Sequence, residues 1–284
     1  MTRVLVTGAS GFIGKNLVSE LKKQLNYKVT EIDDEYFKSS KCWKKELFQF
    51  LEATKPEVVF HVGACSDTLE RQVNYMMTRN YESTKVLANW SKKNKVPLVY
   101  SSSAASYGTN DKFPSNLYGW SKYVAEDYVI STGGIALRYF NVYGPGEENK
   151  GKMSSFLYQA FQKHLNGQKI HLFPGKPKRD FVYVKDVVSA NIFAWKNFES
   201  LRFKYYDVGS GEASSFERLM ELMKYDYEYY EEDKIPQGYQ FYTKSNKNKW
   251  LTGWKPKHSV FSGVNNYKKY LYGASDSDDQ VSNF

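Results

Sequence analysis

Short, nearly continuous apolar runs alternate with helix-spaced segments through the first half of the chain. Runs over residues 3–7, 28–33, 57–61, 97–102 and 135–140 read as strands buried on both faces, because a half-exposed strand would alternate apolar with polar positions. Between them, 12–25, 43–53, 70–92 and 118–130 repeat apolar residues every three to four positions, the period of a helix with one buried face. In 70–92 the stripe of Val73, Met76, Met77, Thr84, Leu87 and Ala88 is interrupted by Asn80. A core asparagine at that point is expected to bond a loop backbone. Strand–helix alternation of this kind predicts an α/β fold with a parallel sheet covered on both sides. After Pro145 the elements shorten and mix: a helix over 153–165, a strand over 170–173, a helix over 185–197 and a strand over 205–208. Beyond Ser214 the chain is rich in tyrosine and reads as a small α+β unit.

The first strand runs straight into Thr7-Gly8-Ala9-Ser10-Gly11-Phe12-Ile13-Gly14, which opens the first helix. Gly8 permits the tight turn, Gly11 lets backbone amides approach a pyrophosphate, and Gly14 lets helix pack closely on strand. The helix N-terminus, with Phe12 and Ile13 in its first turn, adds positive potential. A glycine-rich turn without a ligand is the bland alternative, but the strand–turn–helix context marks a dinucleotide cradle. The fold expected is therefore a Rossmann-type doubly wound parallel sheet with a smaller C-terminal α+β substrate domain. Residues 1–145, completed by about 180–208, would form the dinucleotide-binding domain and 146–272 mainly the substrate-binding domain. Residues 273–284, rich in Ser and Asp, read as a disordered tail.

Asp33 ends the second strand 19 residues after Gly14, where a carboxylate bonds the adenosine ribose hydroxyls. Asp34 doubles the negative charge and would repel a 2′-phosphate, so of NAD and NADP the charge favours NAD. Lys38 and Lys41 act in the opposite sense.

Tyr118 and Lys122 stand four residues apart, on one face of a helix. A free phenol, with a pKa of about 10, is a poor base at neutral pH. A nearby ammonium and a positive nicotinamide ring would favour its phenolate and make Tyr118 a usable acid/base. Ser103, at the end of a Ser-Ser-Ser strand, is placed to donate to a reacting oxygen. Alone, a Tyr-x-x-x-Lys pair is mostly structural; after a dinucleotide cradle it points to catalysis.

Composition narrows the setting. The formal charge of +9 arises from 40 Lys and Arg against 31 Asp and Glu. It invites a nucleic-acid reading, but the lysine pairs lie on water-facing helix surfaces, so no nucleic-acid partner is expected. Such a surface would attract an anionic substrate. No apolar run reaches the roughly 20 residues of a membrane span, and the first strand leaves no room for a signal peptide. The two cysteines, Cys42 and Cys65, suit a reducing compartment, so a cytoplasmic enzyme is expected. Cys65 reads as a small buried residue rather than a nucleophile, and the four histidines lack metal-ligand spacing, so no metal site is expected.

Several further segments carry a resemblance: HVGACSDTLE at 61–70, YMMTRNY at 75–81, SSSAASYG at 101–108, PSNLYGWSK at 114–122, RYFNVYGP at 138–145, KGKM at 150–153, KRDFVYVKDV at 178–187 and GYQFYT at 238–243. With the glycine loop, they resemble the extended short-chain dehydrogenase/reductases that epimerise or dehydrate nucleotide sugars. They are most similar to the branch that inverts carbon 6 of an ADP-linked heptose. The resemblance runs from about residue 3 to about 272. It implies that Ser103, Tyr118 and Lys122 are catalytic and that Lys150 is a second base. It adds Gly63, Ala64 and Tyr139 to the cofactor contacts. Ser66, Thr68, Ser103, Asn141, Arg179 and Tyr239 would meet a nucleotide-diphosphate sugar, and a homo-oligomer is implied. For Arg179 an ion pair with Asp180 or Asp186 competes with diphosphate binding.

The chain departs from that pattern in three places. The stretch from Asp33 to His61 is short, lacking a third strand and the acid that meets adenine; 108–114 is trimmed; and Gly238 stands where an arginine is common. Epimerisation at carbon 4 of a UDP- or GDP-sugar is the alternative. A 4,6-dehydratase fits less well, since Ser103 is followed by Ala104-Ala105 rather than carboxylates. A non-catalytic dinucleotide sensor or RNA-binding protein of this fold is the reading from another class.

Overall fold

The first strand, β1 (Thr2–Thr7), sends Val4 and Val6 to one side of the sheet and Leu5 to the other, and all three are buried. Both faces are covered, which is why the run shows no alternation in sequence. In the computed structural model the described residues are 1–34, 41–108, 113–236 and 239–273. From β1 the chain passes through α1 (Phe12–Lys22), β2 (Tyr27–Ile32), α2 (Trp43–Thr54) and β3 (Val58–His61). It continues with α3 (Val73–Met77), α4 (Ser83–Asn94), β4 (Leu98–Ser103), α5 (Leu117–Ser131) and β5 (Ile135–Tyr139). The later elements are β6 (Asn141–Tyr143), α6 (Phe156–Leu165), β7 (His171–Leu172), β8 (Lys178–Tyr183), α7 (Val184–Lys196) and β9 (Lys204–Val208). They are followed by β10 (Ala213–Ser215), α8 (Phe216–Met223), β11 (Glu228–Tyr229) and α9 (Val260–Leu271).

Six strands form one parallel sheet in the order β2-β1-β3-β4-β5-β9. The chain order turns back at β1 and β3, and the cleft outside their carboxyl ends is where such sheets bind ligands. Leu17, Val18 and Leu21 of α1 pack on one face beside Val187, Ala190 and Ala194 of α7. Leu47, Leu51, Leu87, Ala125 and Val129, from α2, α4 and α5, cover the other. Among the described residues β2 is an edge strand, in keeping with the short segment that follows it.

A second core joins Leu157, Phe161, Leu219, Met220, Val264 and Tyr267 around a small sheet of order β10-β8-β6. That sheet was not legible in the sequence, because its strands are short and partly antiparallel. Leu251 and Trp254, late in the chain, pack into the core beneath the large sheet instead.

The helix expected over 70–92 is interrupted. Between α3 and α4 the turn Thr78–Glu82 is a π-helix, and its wider winding alters which side chains face the sheet. The helix expected from 153 begins at Phe156, capped by Ser155, whose hydroxyl accepts from the Tyr158 amide. Ahead of it Glu148–Met153 is a 3-10 turn in which Gly151 has φ +53°. Lys38, Gly238, most of the trimmed 108–114 segment and the tail from 274 lie outside the described residues.

Candidate active site

The glycine loop is built by contact of backbone with backbone. A Cβ on Gly14 would stand 2.0 Å from the Gly8 carbonyl oxygen, and one on Gly8 (φ +65°) 2.5 Å from the Gly63 Cα. Glycine is required at both positions, because no side chain fits between the crossing segments. The N-cap of α1 is Gly11, which offers no side chain to its first-turn amides, so those donors face the cleft. Asp33 accepts from the Ser10 amide at 2.9 Å, which fixes its carboxylate beside the turn. A cradle that excludes every Cβ, uncapped helix amides and an acid at the ribose position fit a dinucleotide.

Behind the loop lies a relay that the sequence reading did not find. His61 is buried and bridges Thr7 Oγ1 (2.7 Å) and Thr84 Oγ1 (2.9 Å). Thr84 donates to the Asn80 carbonyl and Thr7 Oγ1 accepts from the Gly63 amide. The hydrogens then order themselves: His61 Nε2–H donates to Thr84, and Nδ1 accepts from Thr7. Burial, with the Lys122 charge adding, holds the imidazole pKa down at about 3, so the ring is neutral. Asn80 behaves as expected. It pairs with both the amide and carbonyl of Cys65 and donates to Ser121 Oγ, which in turn donates to the Tyr118 carbonyl. The loop after β3 is thereby stitched to the helix carrying Tyr118 and Lys122.

Two connected clefts share Gly8, Gly11, Gly63 and Ala64. The outer one, about 270 Å³, is lined by Asp33, Asp34, Cys65, Tyr75 and Arg79. Arg79 was missed: its guanidinium lies 3.9 Å from the Tyr75 ring centroid and 3.9 Å from Asp34. The i, i+4 spacing of Tyr75 and Arg79 was a readable signal. This cation offsets the two carboxylates on which the preference for NAD was argued. Cys65 is half-exposed rather than buried, and desolvation raises its thiol pKa, which suits a wall residue rather than a nucleophile.

The inner cleft, about 180 Å³, is lined by Phe12, Ile13, Gly14, Ser66, Tyr118, Lys122, Tyr139 and Lys150 among others. Tyr118 and Lys150 thus share one cavity, from α5 and from the turn before α6. Burial raises the Tyr118 pKa, and a hydrogen bond with Ser103 opposes the rise. Ser103 also caps the turn Ala104–Tyr107 by accepting from the Ala105 amide. Lys122 departs from expectation. Its ammonium lies 4.5 Å from the Tyr100 ring centroid, and burial pulls its pKa down to about 7, with Glu126 opposing. Tyr118 and Lys122 line the same cleft, with Ser103 hydrogen-bonded to the phenol. Lys150 lies 5.2 Å from the Phe12 ring centroid, and desolvation lowers its pKa against the pull of Glu147. The Tyr139 hydroxyl is occupied by Ser101 and Asn191, and its pKa is pushed up to about 12, so it builds the wall.

The remaining candidates are spread more widely. Thr68 is exposed on the loop after β3 and does not line the cleft. Asn141 is exposed and donates to the Asp180 carbonyl. Arg179 meets Tyr239, 5.2 Å from ring centroid to guanidinium. The ion pair considered for Arg179 does not form. Asp180 is taken by Ser210, Gly211 and Ser245, and Asp186 by the Lys257 amide and His258. Arg179 is thus left without a carboxylate partner among the described residues. No cluster of metal-ligating side chains and no helix long and apolar enough to cross a membrane occurs among the described residues.

The profile of the NAD dependent epimerase/dehydratase family matches residues 4–209. The ADP-L-glycero-D-manno-heptose-6-epimerase of Brachyspira hyodysenteriae is 32% identical over 94% of this chain and 97% of its own length. The crystal structure of the Helicobacter pylori ADP-L-glycero-D-manno-heptose-6-epimerase superposes with a TM-score of 0.83 at 26% identity, covering 95% of this chain and 96% of that one. The Thermotoga maritima UDP-glucose 4-epimerase, solved with UDP-glucose, gives a TM-score of 0.81 at 26% identity, over 96% and 99% of the two chains. The chain is a member of the NAD dependent epimerase/dehydratase family, with NAD as the cofactor that its glycine cradle fits.

Proposed function

We propose that the chain is an ADP-glycero-manno-heptose 6-epimerase that works by transient oxidation and re-reduction. The observation that carries this reading is the shared cavity of Tyr118 and Lys150, two proton-bearing groups from separate elements. Bound NAD supplies the acceptor and donor of one hydride. Tyr118, with Ser103 hydrogen-bonded to it, holds and moves the proton at the carbon 6 oxygen in one orientation of the sugar. Lys150 meets that oxygen after the sugar has turned over, so each orientation finds a proton donor. Lys122, which lines the same cleft, would help hold the cofactor, and Arg179 with Tyr239 would hold the diphosphate, a role suited to a guanidinium without a carboxylate partner among the described residues.

In this reading residues 1–145 with 180–208 hold the cofactor, and 146–272 mainly hold the sugar nucleotide. A cytoplasmic homo-oligomer is the setting it implies, checked by size-exclusion chromatography. A carbon 4 epimerase of UDP-sugars is the second reading, favoured by the nearly equal superposition on the Thermotoga enzyme. A panel of ADP-, UDP- and GDP-sugars decides between them. Turnover of the ADP-heptose alone supports the first reading; turnover of a UDP-sugar with inversion at carbon 4 replaces it.

A further inference from the structure

Glu147 is fully buried two residues after Pro145, and its carboxylate gathers hydrogen bonds from three parts of the chain. Gly144 donates its amide at 3.3 Å, Ser155 its amide and, at 2.7 Å, its hydroxyl, and Tyr267 of α9 its phenol at 2.8 Å. Burial pushes the Glu147 pKa up, and these hydrogen bonds oppose the rise by favouring the ionised carboxylate. The Glu147 carbonyl also accepts the Lys150 amide at 3.0 Å. On the opposite side Asn16 of α1 donates to the Pro145 carbonyl at 2.7 Å and to that of Phe12 at 2.9 Å. The turn bearing Lys150 is therefore fastened at one end to the cofactor helix and at the other to α6 and α9. Burying a carboxylate is costly, and an apolar side chain would fill the space more cheaply. Its placement calls for a task beyond packing.

We propose that Glu147 is the positioning residue of Lys150: it fixes the turn that presents the Lys150 ammonium to the cleft and supplies the counter-charge beneath it. The proposal rests on the reading of Lys150 as the second proton-bearing group. Glu147 itself does not line the cleft and acts through Lys150.

Two measurements on the full-length protein test it. In the first, epimerisation of the ADP-heptose is compared for Glu147→Gln, Lys150→Ala and the double variant, with a melting curve for each. Glu147→Gln is expected to lower kcat about 10-fold with little change in KM, and to add nothing in the Lys150→Ala background. Equal losses in both backgrounds make Glu147 a general structural residue and overturn the inference. Full activity of Lys150→Ala instead overturns the reading of Lys150 beneath it. If Glu147→Gln does not fold, Tyr267→Phe, which removes one donor, takes its place with the same two outcomes. The second measurement needs no substrate: amine labelling read lysine by lysine by mass spectrometry. Loss of the counter-charge leaves more of Lys150 neutral, so its labelling rises several-fold against exposed lysines. Unchanged labelling of Lys150 in Glu147→Gln overturns the proposal.

Discussion

The Lys122 ammonium lies 4.5 Å from the centroid of the Tyr100 ring, with only 2% of the residue exposed. Burial draws its pKa from 10.5 to about 7. The unfolded chain therefore binds a proton that the folded one has shed, between pH 7 and 10.5, and stability rises with pH across that window. Below pH 7 the buried charge costs its full amount. Lys122→Met is expected to abolish epimerisation and to raise the melting temperature of the cofactor-free protein at pH 6, by a few °C or more on the order of 2–4 °C per kcal/mol. The gain should shrink by pH 9.5. A variant that melts lower at pH 6 would show that the lysine stabilises the empty site.

His61 has the opposite consequence at acid pH. Its pKa falls from 6.5 to about 3, so the unfolded chain takes up a proton below pH 6.5 that the folded chain refuses. The stability associated with the neutral ring is present above pH 6.5 and is lost as pH falls toward 3. His61→Gln should be less stable than the parent at pH 8, where the Thr7–His61–Thr84 relay is broken, by about 1–3 kcal/mol. The difference should narrow at pH 4.5. Denaturant titration at both pH values reads this directly, and a constant difference would sink the assignment of a neutral ring.

Arg79, stacked on Tyr75 and 3.9 Å from Asp34, sets the charge of the adenosine end. Removing it takes one positive charge away from Asp33 and Asp34, so Arg79→Ala is expected to weaken NADP binding more than NAD binding, by about 5- to 10-fold in the ratio of dissociation constants. Calorimetric titration of both cofactors is the check. Equal weakening would confine Arg79 to a packing role.

Tyr118 is raised, not lowered, by its surroundings in the absence of cofactor. The ultraviolet signature of its phenolate, isolated by difference against Tyr118→Phe, is expected only above pH 10 in the cofactor-free protein. Tyr118→Phe should fold normally and lose about 10²- to 10⁴-fold in kcat. Substantial residual activity would move the acid/base role to another group.

Much of this site was legible along the chain. The glycine loop, Asp33 and the Tyr118/Lys122 spacing are local signals, because strand–turn–helix crossings and one-face helix pairs are specified by residues a few positions apart. Asn80 could be read because one polar residue on an apolar stripe must find a buried partner. His61, Glu147 and the pairing of Arg79 with Asp34 stayed hidden for the converse reason. Each acts through partners far away in sequence, such as Asp34, Thr7 and Tyr267. The π turn that presents Arg79 leaves no mark in a 3.6-residue period.

The sequence by itself therefore determined the parallel sheet and the dinucleotide cradle, both consequences of short-range periodicity and glycine chemistry, and offered Tyr118 and Lys122 as candidates by their spacing. Tertiary structure alone decided their electrostatics. It put Lys122 over Tyr100, left Arg179 without a carboxylate partner among the described residues, and fastened the turn that carries Lys150 through the buried Glu147. Burial and the nearest charge govern a proton's affinity, and both depend on which distant segments pack together.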